Sequence, residues 1–115
     1  MSTPKMKRFD PGQLRHRIIV EEVATSYDEA GGFSESWTEK ARCAAFVKPA
    51  SVSEVARARA AELEMSHSFI IRSGTEVTRH DRVIWRGEAY EIASVSDIDG
   101  TDRYTEILGN RIEST

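Results

Sequence analysis

Apolar and polar residues alternate with a period of two along most of this chain, the spacing of strands that turn one face to a core. From Leu14 to Val23, Leu14, His16, Ile18 and Val20 share one face while Arg15, Arg17 and Glu21 occupy the other, around the β-branched run Ile18-Ile19-Val20. Thr25 to Gly32 reads as a connection, in which Asp28 suits local backbone hydrogen bonding and Gly31-Gly32 suits positive φ. Phe33, Trp37, Ala41, Cys43, Ala45 and Val47 then hold odd positions opposite Ser34, Ser36, Thr38, Lys40, Arg42 and Lys48. Glu35, Glu39 and Phe46 break that pattern. It predicts one long strand, or two bent at the Ala-rich stretch, ending at Pro49.

The character changes between Ser51 and Met65. Ser51-Val52-Ser53-Glu54 has capping-box spacing and Ala, Arg and Glu follow, so a helix of about three turns is predicted. Its apolar stripe, Val52, Ala56, Ala60 and Leu63, is thin and should dock weakly or project. Alternation resumes at His67, Phe69 and Ile71, and then from Arg82 to Trp85 and from Ala89 to Val95. Gly87 in Arg86-Gly87-Glu88 marks a tight hairpin, and Asp99-Gly100 marks a second one leading to Tyr104, Ile107 and Leu108. About six strands and one inserted helix predict a mainly β fold, a small antiparallel β-barrel. A flexible N-terminal arm is expected over residues 1–12, then one barrel domain over 13–115 with its insertion at about 50–65. So small a barrel should be filled by side chains and hold no substrate cavity.

Length and composition fit one soluble domain: 115 residues, 39% hydrophobic and 30% charged. No apolar run approaches a membrane span, and the first ten residues lack the apolar centre of a signal peptide, so cytoplasmic synthesis is the expectation. A net charge of −3 argues against a surface built throughout to grip nucleic acid. The charge is uneven, because Lys5, Lys7, Arg8, Arg15 and Arg17 against Asp10 put +4 on residues 1–17. A solvated tail explains this, and so does a docking arm for an acidic neighbour or a phosphate backbone.

No catalytic grouping is legible. The serines lack a nucleophile-elbow context, no phosphate-binding glycine motif occurs, and the carboxylates are dispersed. Cys43 is the only cysteine, and His16, His67 and His80 lack zinc-ligand spacing, so neither a metal nor a cofactor is expected. Asp97, Asp99 and Asp102 around Gly100 read as a turn, since the remainder of a calcium loop is missing. His16 should line the barrel wall beside Leu14 and Ile18. Trp37 and Trp85 lie within apolar faces and are expected in the core, although aromatics also stack on bases. A small nucleic-acid-binding barrel using His16, Arg17, Arg42 and exposed aromatics is therefore a competing reading.

Order and spacing also carry a resemblance. Leu14-x-His16-Arg17-Ile18, Asp28-x-x-Gly31-Gly32 and Trp37, Val47-x-Pro49 and Glu54 are followed by Ser66-His67 before Ile71-Arg72. Val77-Thr78, Asp81-Arg82-Val83 and Tyr90-Glu91-Ile92 complete the set. From Leu14 to about Ile107 the chain resembles the phage head-tail joining proteins, the head-completion or stopper proteins of tailed phages and gene transfer particles. Cys43 lies near where such proteins often have a bulky aromatic, and the N-terminal arm is longer than usual. The resemblance implies a β-barrel with a long inserted loop, a structural and non-enzymatic protein of the virion neck, assembled in the host bacterial cytoplasm. Its implied partners are further copies in a ring, the portal or its adaptor, a tail-terminator or tail-completion protein, and the packaged double-stranded DNA in the channel. Ser51, Glu54, Arg57, Arg59, Glu62 and Glu64 are the expected gating insertion. Arg8, Arg15, Arg17, Asp28, Gly31 and Gly32 are the expected ring-interface residues. Leu14, His16, Ile18, Trp37, Pro49, His67, Arg72, Arg82 and Tyr90 are the expected barrel residues of the motif. A tail-completion role in the same assembly is the related alternative.

Overall fold

The strand-forming segments close into one six-stranded antiparallel barrel in a computed structural model that describes residues 11–98, 100 and 102–112. The strands are β1 (His16–Tyr27), β2 (Phe33–Pro49), β3 (His67–Arg72), β4 (Arg82–Trp85), β5 (Glu88–Asp97) and β6 (Tyr104–Arg111). They follow one another around the barrel as β1-β2-β3-β6-β5-β4, and β4 returns to β1 through Ile19↔Ile84, Val20↔Val83 and Glu21↔Arg82. One helix, α1 (Val52–Ala60), is inserted between β2 and β3. The expected arm falls largely on residues 1–10, which with Arg8 and the turn residue Asp99 lie outside the described residues.

Ile18, Val20, Ala45, Phe69, Ile71, Val83, Tyr90, Ile92 and Ile107 fill the interior, with Cys43, Val47, Val77, Trp85 and Val95 packed against them. Burying side chains of this size stabilises the fold by roughly 1.5–3 kcal/mol each before chain entropy is counted. Phe69 is the largest of the fully buried side chains, its ring 5.0 Å from that of Tyr90 in an edge-on arrangement. Gly109 on β6 makes room for it, since a Cβ there would lie 2.9 Å from Phe69 Cε2 and 3.2 Å from Tyr90 Cβ.

The first hairpin differs from the sequence expectation. β1 begins at His16 rather than Leu14, after a short 3-10 turn over Pro11–Gln13, and continues to Tyr27, so only Asp28 to Gly32 remain as connection. β2 is a single strand of 17 residues. The register slips between Val20 and Glu21: Val20 faces Ala41, Glu21 faces Glu39, and Lys40 is left over as a bulge. The bulge inverts the parity of everything before it. Ala41, Cys43 and Ala45 therefore face inward while Trp37 joins the outer face with Val23 and Glu21, and Trp37 is 39% exposed instead of lying in the core. Trp85 does pack against the core, as its pattern implied.

Only the base of this hairpin belongs to the barrel wall. β4 pairs with β1 at Ile19, Val20 and Glu21, and β3 pairs with β2 from Ala45 to Pro49. Beyond those residues β1 and β2 continue as a two-stranded ribbon in which every residue from Thr25 to Glu39 is exposed.

Candidate functional site

With the interior filled by side chains, the chemistry this chain can offer lies on its outer features: the ribbon, the helical insertion and one cleft in the wall. The ribbon ends in a turn built by Asp28, whose Oδ1 accepts from the backbone N–H of Ala30 at 3.0 Å and of Gly32 at 2.7 Å. Gly31 supplies the left-handed residue at φ +86°. Gly32 is small for a different reason, because a Cβ there would come within 2.9 Å of the Asp28 carboxylate. The turn presents Tyr27 and Phe33, 79% and 66% exposed, with ring centroids 6.3 Å apart. Residues 21–39 contain six carboxylates and no Lys or Arg, which leaves +3 on the remainder of the chain.

Ion pairs hold the base of the ribbon. Arg82 Nε donates to Glu21 Oε1 at 2.7 Å, and its guanidinium lies 4.4 Å from the centroid of the Trp37 ring. Two residues of the resemblance thus meet on the outer wall, and stacking on a cation accounts for a half-exposed tryptophan. Lys40, at the bulge, donates to the buried Asp81 carboxylate at 3.0 Å, and Asp81 also accepts from the Thr78 N–H at 2.9 Å. That hydrogen bond to Asp81 holds the Lys40 ammonium above its ordinary range.

The insertion starts with the expected capping box: Ser51 Oγ accepts from the Glu54 N–H and the Glu54 carboxylate accepts from the Ser51 N–H. These bonds, the backbone one foremost, keep Glu54 below the usual carboxylate range, and Lys48 adds to the effect from 3.8 Å. α1 ends after 9 residues, with Glu62 at φ +61°, the Leu63 N–H bonded to the Ala58 carbonyl and the Glu62 N–H to that of Arg59. It buries no residue. The face turned partly inward carries Glu54, Val55 and Ala58, not the Val52-Ala56-Ala60 stripe expected from spacing, and Val52 is 88% exposed. Arg57, Arg59, Glu62 and Glu64 are all exposed, with Arg59 3.7 Å from Glu64.

A cleft of about 350 Å³ opens on the outer wall where β1, β2 and the β4–β5 turn meet. Ile19 and Ile84, opposite each other in register, form an apolar floor, and Arg17, Arg42 and Arg86 stand around it. Arg86 is raised over the Trp85 ring, 4.6 Å from its centroid, by the tight turn in which Arg86 and Gly87 have φ +52° and +76°. Arg42 is held by Glu39 at 2.9 Å. Among the described residues neither Arg17 nor Arg86 has a carboxylate partner.

The expected ring-interface residues therefore separate into two groups. Arg15 and Arg17 lie at the start of β1 by the cleft, whereas Asp28, Gly31 and Gly32 lie at the far end of the ribbon; Arg8 is outside the described residues. Sequence reasoning missed Arg86, Ile19 and Ile84 as companions of Arg17, and Tyr27 and Phe33 as exposed groups. Only the β1–β2 and β1–β4 registers bring the first set together. The motif residues His16, His67 and Tyr90 gather with Phe69 and Trp85 at one end of the barrel, with His16 5.5 Å and His67 5.7 Å from the Trp85 ring. Burial, with Arg111 contributing, pushes the His67 imidazole below its ordinary value. Leu14 precedes β1 and is half-buried, Pro49 closes β2 opposite His67, and Arg72 ends β3 exposed. No group of three or more His, Cys, Asp or Glu among the described residues is arranged to hold a metal.

Comparison with known proteins gives a consistent picture. The family model for phage head completion proteins matches residues 9–111. The solution structure of a Shigella flexneri 2a protein superimposes with a TM-score of 0.76 at 21% identity, covering 90% of this chain and 96% of that one. A chain from the virion of a native gene transfer agent particle superimposes with a TM-score of 0.57 at 16% identity, covering 85% of this chain and 94% of that one. No curated protein matches the sequence.

Proposed function

Because the chain belongs to the phage head completion protein family, a family of structural virion components, we propose that it closes the DNA-filled head as a stopper. Copies dock as a ring beneath the portal or its adaptor, hold the packaged DNA, and offer the tail its attachment platform. The observation that carries this reading is the match over residues 9–111, joined to an architecture whose features are outward surfaces on a filled barrel. Such a protein works by fitting between neighbours. Many copies on a preformed ring raise avidity far above the affinity of any one contact, so a chain that is monomeric alone still assembles firmly.

Within that reading the insertion is the gate. α1 buries no residue against the barrel, so swinging it away forfeits little packing. Ser51 to Met65 carries Glu54, Arg57, Arg59, Glu62 and Glu64, a net charge of −1. A lining of that kind does not trap phosphate as a basic one would through counterion release. Deleting Val52 to Glu64 and joining the ends with a short Gly-Ser linker is expected to give chains that still dock on heads while particles lose DNA, measured as nuclease-resistant DNA per head. Unchanged DNA retention overturns the gate. Docking on isolated tails but not on isolated heads overturns the stopper role in favour of tail completion.

The arginine cleft favours one second reading, a barrel that grips nucleic acid directly. It requires duplex binding by the purified chain that weakens steeply with salt.

A further inference from the structure

The ribbon tip and the arginine cleft are complementary in charge and in chemistry. The tip offers Asp28, Glu29 and Glu35 beside the exposed Tyr27 and Phe33 rings. The cleft offers Arg17, Arg42 and Arg86 around the apolar Ile19–Ile84 floor. Glu29 and Glu35 have no cationic partner among the described residues, and Arg17 and Arg86 have no anionic one, so each surface leaves charge uncompensated. Aromatic rings over an apolar floor with opposite charges at the rim is the usual anatomy of a protein contact.

One chain cannot make this contact with itself. Arg17 and Tyr27 lie on the same continuous strand, ten steps apart, which separates cleft and tip by about 33 Å. We infer that the ribbon tip of one copy seats in the Arg17-Arg42-Arg86 cleft of the next copy, building the ring through a head-to-tail contact. The inference rests on the ring reading above and adds the surfaces that make it. Two different patches on each copy form a heterologous interface, the kind that generates a closed ring when its rotation closes. The tip also reaches its neighbour without disturbing either barrel, because the ribbon from Thr25 to Glu39 is already exposed. Arg42 keeps its own Glu39 nearby, which leaves Arg17 and Arg86 as the cations most available to the incoming carboxylates.

Charge reversal tests the contact in assembled particles. A tip variant carries Glu29→Lys and Glu35→Lys; a cleft variant carries Arg17→Glu and Arg86→Glu. Each alone is expected to enter particle necks at least about tenfold less than the unaltered chain, since like charges would face each other across a tightly apposed contact. Placing all four substitutions in one chain, or co-expressing the two variants, is expected to restore incorporation to within about twofold, because each reversed or native tip then finds a matching cleft. Incorporation is read by quantitative immunoblot of purified particles, with circular dichroism confirming that each variant is folded. Loss without rescue overturns the contact, as does full incorporation of the single variants. If the cleft variant instead loses affinity for a DNA duplex that the tip substitutions do not restore, the cleft serves phosphate and the contact is also overturned. Absence of the unaltered chain from the neck overturns the ring reading itself, an outcome distinct from a chain that is present yet unaffected by reversal.

Discussion

At Gly109 a single hydrogen in place of a methyl group decides whether Phe69 fits. The backbone there is not left-handed, so the requirement is steric alone: an added Cβ would press on a ring that is itself fully buried. Gly109→Ala is expected to lower stability by about 1–3 kcal/mol, the usual penalty for overpacking, read as a fall in the chemical denaturation midpoint. A companion Phe69→Leu change should recover part of that loss by vacating the crowded space. His67, two residues before Phe69, makes stability depend on pH. Its imidazole is held below the ordinary value by burial, so between about pH 7 and 5.5 the unfolded chain binds more protons than the folded one. Stability should therefore fall as pH falls through that window. The Glu54 carboxylate, also depressed, adds its own loss only at lower pH. His67→Gln is expected to flatten the Tm-versus-pH curve between pH 7 and 5.5, and an unchanged slope would mean that His67 is not its origin.

At the scale of elements, what could be read from the sequence divides at one residue. Period-two alternation, the capping box at Ser51-Glu54 and the Arg86-Gly87 turn each depend on neighbours within a few positions, and outside the longer first hairpin and the shorter helix the elements stand close to where those signals put them. The Lys40 bulge depends on how β2 is paired with β1, and nothing local announces it. Glu35 and Glu39 were its trace: two carboxylates on an apparently apolar face are inconsistent with burial, and inverting the parity before Ala41 puts both outside together with Trp37. Helix orientation was obscured in a similar way. With two of its four apolar positions alanine, the stripe carried too little area to fix which face turns inward, and the face that does so carries Glu54, 3.8 Å from Lys48. The cleft was illegible for the most basic reason, since Arg17, Arg42 and Arg86 are brought together only by closure of the barrel. The family resemblance ran through such gaps because it records spacing along the chain, which survives a bulge unchanged.

For the whole molecule, shape carries the same division between a folded unit and a reaching one. The radius of gyration is 16.3 Å, whereas a compact chain of this length would have about 13 Å. The long axis measures 70 Å against 29 and 24 Å across, and β2 alone spans about 55 Å of extended chain. The contacts that close the barrel end at Glu21↔Arg82 on one side of the ribbon and at Ala45↔Ile71 on the other. Further out, residues 25–39 are all exposed, so the barrel's free energy should scarcely register removal of the outer part of the ribbon. Replacing residues 25–35 by Asn-Gly, a pair suited to a two-residue hairpin turn, joins Ala24 to Ser36, which already face each other in register. The shortened chain is expected to keep its Tm within about 3 °C while its radius of gyration by X-ray scattering moves toward the compact value. It also lacks Asp28, Glu29 and Glu35, so it should be excluded from the neck even though it is folded. A large drop in Tm would show that the ribbon belongs to the folding unit. Normal incorporation of the shortened chain would show that assembly proceeds without the ribbon tip, leaving Asp28, Glu29, Glu35 and the two exposed rings without a role in it.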